Sequence, residues 1–170
     1  MKKRIAIFAS GSGSNAQRII EHFEGHKLIV VDAVYTNNPK AGVIKRAEEF
    51  GIDTFTFDKI SDVYDQLKDR KTQLIVLAGY LKLIPKSMVV LYPQQIINIH
   101  PALLPKYGGK GMYGRHVHQA VYDNKELQSG ITIHYVNEDY DEGNIIYQNS
   151  VELEPEDSPE MIAKKVLQLE

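Results

Sequence analysis

Residues 5–20 read IAIFASGSGSNAQRII. Ile5 to Ala9 form an apolar run of strand length, Gly11 and Gly13 follow at once, and a helical pattern begins near Asn15. Glycines let a strand turn tightly into a helix, and the N–H groups that open such a helix attract an anion. Further along, Leu28–Tyr35, Leu74–Ala78 and Ile96–Ile99 are apolar runs that read as buried strands. Between them, Asn15–Glu24, Ala41–Phe50, Asp62–Arg70 and Lys86–Leu91 read as helices. Strands alternating with helices predict an α/β protein, a parallel sheet with helices on both faces.

The second half changes character. Ile131, Ile133 and Tyr135 alternate with Thr132 and His134, which predicts a strand with one buried and one polar face. Ile145–Val151 reads as another strand, reached through the acidic turn NEDYDEGN at 137–144. Ser158 as N-cap, Pro159 at the first helical position and Glu160 in the first turn predict a final helix, with Ile162, Val166 and Leu169 as its apolar stripe. Neither a repeat nor a linker interrupts the 170 residues, so a single domain over 1–170 is expected. No C-cap precedes Glu170, which leaves room for a chain that continues beyond it.

A chain of this length buries about 70% of its unfolded surface. Twenty basic residues against 22 acidic ones give a net charge of -2 without a Lys/Arg block, so broad binding to nucleic acid or an anionic membrane has no support. The absence of cysteine rules out a disulfide scaffold, a thiolate zinc site and a cysteine nucleophile. The first apolar run is too short for a signal-peptide core or a membrane span, and a cytoplasmic location is the expectation.

Ser14 and Asn15 add a hydroxyl and an amide to the glycine turn, where a phosphate monoester would sit. Ordinary capping of a strand-to-helix turn explains the same residues. Gly11, Gly13 and Ala16, with Asp32 roughly 20 residues on, also fit the dinucleotide fingerprint of a nicotinamide-dependent oxidoreductase. Asp32, however, is followed by Ala-Val-Tyr and looks internal to its strand.

Asn98 and His100 fall at a strand's carboxyl end, where open α/β sheets gather ligands. Two positions apart on an extended chain, they point to the same side. An amide donor beside an imidazole suits a reaction in which a carbonyl oxygen becomes negative and a proton moves. A turn-capping asparagine and a histidine satisfied by a backbone carbonyl account for the same pair. A catalytic histidine needs a partner to fix its tautomer, and Asp141, beside the flexible Glu142-Gly143, is the acid expected to turn inward. Metal has little support: His116 and His118 diverge if helical, and His22 and His26 lack a carboxylate motif. No G-x-S-x-G elbow occurs.

Four stretches in order, SGSGSN at 10–15, LAGYLKLI at 77–84, NIHPALLPKY at 98–107 and DYDEGNII at 139–146, resemble the folate-dependent formyltransferases. The short chain and N-terminal glycine loop resemble the phosphoribosylglycinamide formyltransferase branch, also termed glycinamide ribonucleotide transformylases. The resemblance implies a Rossmann-like, mostly parallel sheet of about seven strands, one antiparallel. It implies formyl transfer from 10-formyltetrahydrofolate, as cosubstrate, to the amine of 5-phosphoribosylglycinamide in de novo purine biosynthesis, without metal, by a monomer or homodimer. A formyltetrahydrofolate hydrolase of the same fold is the alternative. By position, Gly13, Ser14 and Asn15 would hold the ribonucleotide phosphate, and Leu167, Gln168, Leu169 and Glu170 would approach the ribonucleotide. Leu81, Lys82, Leu83 and Ile84 would line the folate pocket, which Asn137, Glu138, Asp139, Tyr140 and Asp141 would close. Asn98, His100 and Asp141 would be catalytic: the first two stabilise an oxyanion, and Asp141 raises the histidine pKa. Leu104–Pro105 falls where the family has a cis peptide. Ser61 replaces an expected arginine, and the glycine-rich segment 106–121 suggests a mobile flap.

Overall fold

The computed structural model describes residues 2–170. Seven strands form one mostly parallel sheet in the order β3-β2-β1-β4-β5-β6-β7. By its internal contacts the chain divides into two compact units, residues 1–97 and 98–170.

The first unit runs β1 (Lys3–Phe8), α1 (Ser14–Phe23), β2 (Ile29–Thr36), α2 (Gly42–Glu49), β3 (Asp53–Thr56), a 3₁₀ turn (Ile60–Val63), α3 (Tyr64–Asp69), β4 (Leu74–Leu77) and α4 (Lys86–Leu91). β1 pairs in parallel with both β2 and β4, and β2 with β3. The chain thus winds outward from β1 to β3, then returns past β1 to β4. Right-handed crossovers place α1 and α2 on one face and the return helix on the other. Strands enclosed on both sides need continuous apolar sequence. Ile7, Phe8, Val34, Tyr35 and Ile75 are accordingly buried, and the Phe8 ring stacks on Tyr35 with centroids 5.0 Å apart. β3, only four residues of DTFT with half-exposed side chains, escapes an apolar-run reading.

Between β1 and β4 the winding reverses direction, and ligands of open α/β sheets bind at such a point. There the glycine turn after β1 is tied to the turn after β4. Ser10 donates its N–H to the Gly79 carbonyl (3.0 Å), and Leu81 N–H donates to Ser10 Oγ (3.1 Å).

β5 (Ile96–His100) spans the division between the units. The second unit then contains α5 (Arg115–Asp123), β6 (Gln128–Tyr135), β7 (Ile145–Glu152) and α6 (Pro159–Leu167). β7 pairs antiparallel with β6. Val121, Ile131, Leu153, Ile162 and Val166 form its core, with Leu169 packed against it. Each fully buried side chain of this size contributes about 1.5–3 kcal/mol. The α6 start follows the capping pattern: Ser158 Oγ accepts from Met161 N–H at 3.3 Å, and Pro159 is the first helical residue.

Two features depart from expectation. The glycine-rich segment is a loop only to Gly114; from Arg115 it is the helix α5, anchored by buried Val117, His118 and Val121. On β6 the apolar face is buried at Ile131 as expected, but the polar face is buried too. Thr132 and His134 are buried, whereas Tyr135 is 36% exposed. β6 has a paired strand at each edge, and its polar face turns inward because it serves other polar groups. Thr132 Oγ1 donates to Ala102 O (2.6 Å) and accepts from Leu104 N–H (3.0 Å) and Gln148 Nε2 (2.9 Å). These bonds hold the Leu104–Pro105 turn, whose peptide is cis. Among the described residues no helix is long and apolar enough to cross a membrane.

Candidate active site

β5 delivers Asn98 and His100 to one side, as period-2 geometry requires. His134 comes from β6, and Asp141 from the loop between β6 and β7. The four side chains meet. Asp141 Oδ1 lies 3.5 Å from both His100 Nδ1 and His134 Nε2, and Asn98 Nδ2 donates to it at 3.3 Å. Asn98 Nδ2 also lies 3.1 Å from His134 Nε2. The other carboxylate oxygen, Oδ2, accepts Gly109 N–H at 3.0 Å. The carboxylate is only 10% exposed, and the two imidazoles 4% and 2%.

Backbone strain fixes this arrangement. Tyr107 and Asp141 have φ of 57° and 58°, in the left-handed region that costs a non-glycine residue about 1–2 kcal/mol. Such outliers persist where surrounding bonds over-determine them. Tyr107 turns its carbonyl onto His100 Nε2 at 2.8 Å, and its hydroxyl donates to Glu126 at 2.7 Å, which also accepts from Lys106. Asp141 is seated by a glycine on each side: a Cβ on Gly108 would press on Leu104 and Asp141, and one on Gly143 would overlap the Tyr135 carbonyl. Leu104, Pro105, Gly108, Gly109, Tyr140, Asp141, Glu142, Gly143 and Ile145 line an open cavity beside the carboxylate.

Burial pushes the Asp141 carboxyl upward, but the neighbouring His134 and His100 rings and the Gly109 N–H outweigh that and hold it below the ordinary range. For His100 the balance goes the other way. Burial lowers its pKa more than Asp141 and the Tyr107 carbonyl raise it: Asp141 acts in the expected direction, but the net shift is downward. The ring nonetheless faces two acceptors, so a proton gained there is well received.

The structure brings Asn98, His100 and Asp141 together, and adds His134. Its place in an alternating strand gave no reason to select it; a histidine on the polar face of a central strand is the signal that was available. The role assigned to Asn98 also changes. Its amide nitrogen sits inward, between His134 Nε2 and Asp141 Oδ1, and not toward an oxyanion. Of the acidic loop, Asn137, Tyr140 and Asp141 are half-buried, while Glu138 and Asp139 are exposed. Leu81, Lys82 and Leu83 are exposed and Ile84 is buried; Leu167 and Gln168 are exposed, Leu169 and Glu170 half-buried.

The glycine turn needs its glycine. Gly13 caps α1 at φ 78°, and a Cβ there would lie 2.5 Å from Val43 Cβ. The helix starts without a side-chain cap. Arg46, which no motif marks, donates from Nε to Ser12 O at 2.9 Å and from Nη1 to Gln17, setting a cation beside this turn. Asp32 has different work: it is the extra residue of a bulge in β2 against β1, and its carboxylate is paired with Arg4 and Arg70. Asp32 is therefore not free for a ribose hydroxyl. On α5, His118 is buried and His116 exposed, so the pair diverges. His26 Nδ1 accepts from Leu28 and Ile29 N–H as a turn cap. Among the described residues no group of His, Asp and Glu is arranged to hold a metal ion.

The formyl transferase family model matches residues 3–170. The chain belongs to the formyl transferase family. It is 42% identical to the chloroplastic phosphoribosylglycinamide formyltransferase of Arabidopsis thaliana over 98% of this chain and 61% of that one. It is 36% identical to the phosphoribosylglycinamide formyltransferase of Bacillus subtilis (strain 168), over 99% of this chain and 89% of the relative. The chain thus spans about three-fifths of the chloroplastic relative's length. Among solved structures it is similar to phosphoribosylglycinamide formyltransferase from Anaplasma phagocytophilum, with a TM-score of 0.92 and 30% identity, covering 99% of this chain and 81% of that one.

Proposed function

We propose that this formyl transferase domain moves a formyl group from 10-formyltetrahydrofolate to the amine of 5-phosphoribosylglycinamide, as a step of purine biosynthesis in the cytoplasm. The observation that carries the reading is the carboxylate set between two imidazoles and an amide, 3.3–3.5 Å from each. The donor supplies a formyl carbon activated by its bond to nitrogen. The neutral amine attacks that carbon: a C–N bond forms, and the carbonyl pair moves onto oxygen. When the carbonyl re-forms, the bond to the folate nitrogen breaks, and its pair takes a proton. One proton therefore passes, net, from the amine to the departing nitrogen. Asp141, with His100 Nδ1 and His134 Nε2 beside it, can hold that proton in transit. While the proton rests on His100, the imidazolium's positive charge beside the carbonyl offsets the developing oxyanion.

Gly13, Ser14 and Asn15 would hold the acceptor's phosphate at the start of α1, with Arg46 adding positive charge. Exposed Leu81 and Leu83, with Lys82 and the buried Ile84 behind them, suit a pterin ring. The loop at Asn137, Glu138, Asp139 and Tyr140 would close over it. Leu167, Gln168, Leu169 and Glu170 would approach the ribonucleotide. Asn98, His100 and Asp141 are the residues in contact with the reacting groups.

The test is to follow loss of formyl-folate with and without phosphoribosylglycinamide. Transfer predicts that loss requires the amine and matches formylated product one for one. Equal loss in its absence would overturn the reading in favour of hydrolysis.

A further inference from the structure

We infer that His134 sets the orientation of Asn98, so that the amide turns its carbonyl oxygen, not its NH₂, toward the attacking amine. The identity of that amine rests on the transfer reading above; the orientation does not.

The orientation follows from the donors and acceptors around a neutral His134 ring. His134 Nδ1 lies 2.9 Å from the Tyr135 carbonyl, which can only accept, so Nδ1 carries the hydrogen. In the neutral ring Nε2 is then a lone pair. The atom 3.1 Å from that lone pair is Asn98 Nδ2, which must donate to it. The same nitrogen sits 3.3 Å from Asp141 Oδ1, a second acceptor. Turning the amide over would press Asn98 Oδ1 against a carboxylate oxygen and an imidazole lone pair at once. Two repulsive contacts in a part-buried site would replace two bonds. Both hydrogens of Nδ2 are thus consumed, and Oδ1 takes part in neither bond.

An outward oxygen suits this chemistry. A neutral amine carries N–H bonds, and one of them donated to Oδ1 would aim the nitrogen lone pair at the formyl carbon. As the C–N bond forms, the nitrogen gains positive charge and its hydrogens become stronger donors. The bond to Oδ1 therefore tightens toward the transition state, the condition for raising kcat and not affinity alone. An NH₂ group in the same place would repel the charged nitrogen. His134, only 2% exposed, does not reach the reactants and acts through Asn98, as a positioning residue.

Nitrogen-15 NMR on the full chain tests the orientation without any substrate. In the neutral ring, His134 Nδ1 should appear protonated and Nε2 unprotonated, with scalar coupling across the hydrogen bond between Nε2 and Asn98 Nδ2. A proton on Nε2 with none on Nδ1 would overturn the inference. Kinetics test the consequence. His134→Leu removes the acceptor, whereas His134→Gln keeps one. Loss of one such bond predicts a fall in kcat of about tenfold for His134→Leu, with the formyl donor's KM unchanged and with kcat partly recovered in His134→Gln. A folded His134→Leu enzyme with wild-type kcat would also overturn it. If the wild-type NMR result holds but no amine-dependent transfer is found, the orientation stands and the transfer reading falls.

Discussion

Asp141→Asn preserves the shape of the carboxylate and removes its charge. In the folded protein Oδ2 accepts Gly109 N–H at 3.0 Å and Oδ1 accepts Asn98 Nδ2 at 3.3 Å. An asparagine must put its own NH₂ at one of these places, where it meets a donor. One hydrogen bond is lost and two donors face each other, a cost of about 1–3 kcal/mol. For a chain of this size that corresponds to a melting temperature lower by about 2–12 °C. The effect on rate should be larger, because the proton's holding place is gone: general acid–base groups contribute about 100- to 10,000-fold. A fall of at least about 100-fold in kcat is therefore expected, measured by folate absorbance with saturating amine, alongside a thermal melt on the same preparation. A folded variant within about tenfold of wild type would show that the carboxylate is scaffolding and that the proton travels by another route.

Gly143→Ala should displace the acidic loop, since its Cβ would overlap the Tyr135 carbonyl. Circular dichroism should stay near wild type while kcat falls at least as far as in Asp141→Asn. Gly13→Ala carries about 1–2 kcal/mol of left-handed strain plus the clash with Val43; KM for the phosphorylated amine should rise more than KM for the formyl donor, by steady-state kinetics. Acid should weaken the fold in two stages. His100 and His118 have folded-state pKa values below the usual 6.5, both chiefly through burial, so the unfolded chain binds protons first and stability is lost as pH falls from 6.5 toward those lowered values. Asp141, held below 3.8, adds a further loss below that pH. Urea midpoints measured across both ranges should decline on acidification; a flat profile through the histidine range would contradict the burial of these rings.

The parallel half of the fold was legible because strands enclosed on both faces leave continuous apolar runs, and Ile5–Ala9 and Leu74–Ala78 are such runs. β3 was not, because its side chains are half-exposed and leave no run to see. β6 was misread for a subtler reason: alternation marks two different faces, but not which of them meets water. Thr132 and His134 lie on the polar face, and that face is inside. For the candidate site, Asn98 and His100 could be paired from their spacing of two. Asp141 could be chosen among four acids only with the help of its glycine neighbour. His134 is 36 positions from Asn98 and reaches it only through strand pairing, which local spacing does not encode. The direction of the His100 shift was likewise out of reach, since it depends on how deeply the ring is buried. The Asn98 amide shows the same limit: its position was readable, but which end faces outward depends on a carbonyl at Tyr135.

Asn98, His100, His134 and Asp141 all lie within a span of 44 residues, 98–141, and all belong to one compact unit. The glycine turn proposed to hold the acceptor belongs to the other. Such a partition lets an ancestral chain exchange its clientele without relearning its chemistry. Drift in the opening loop can retune which sugar phosphate is admitted, while the proton-handling residues stay under separate selection. Laboratory libraries aimed at new acceptors should therefore start with the opening loop and leave the residues of 98–141 untouched.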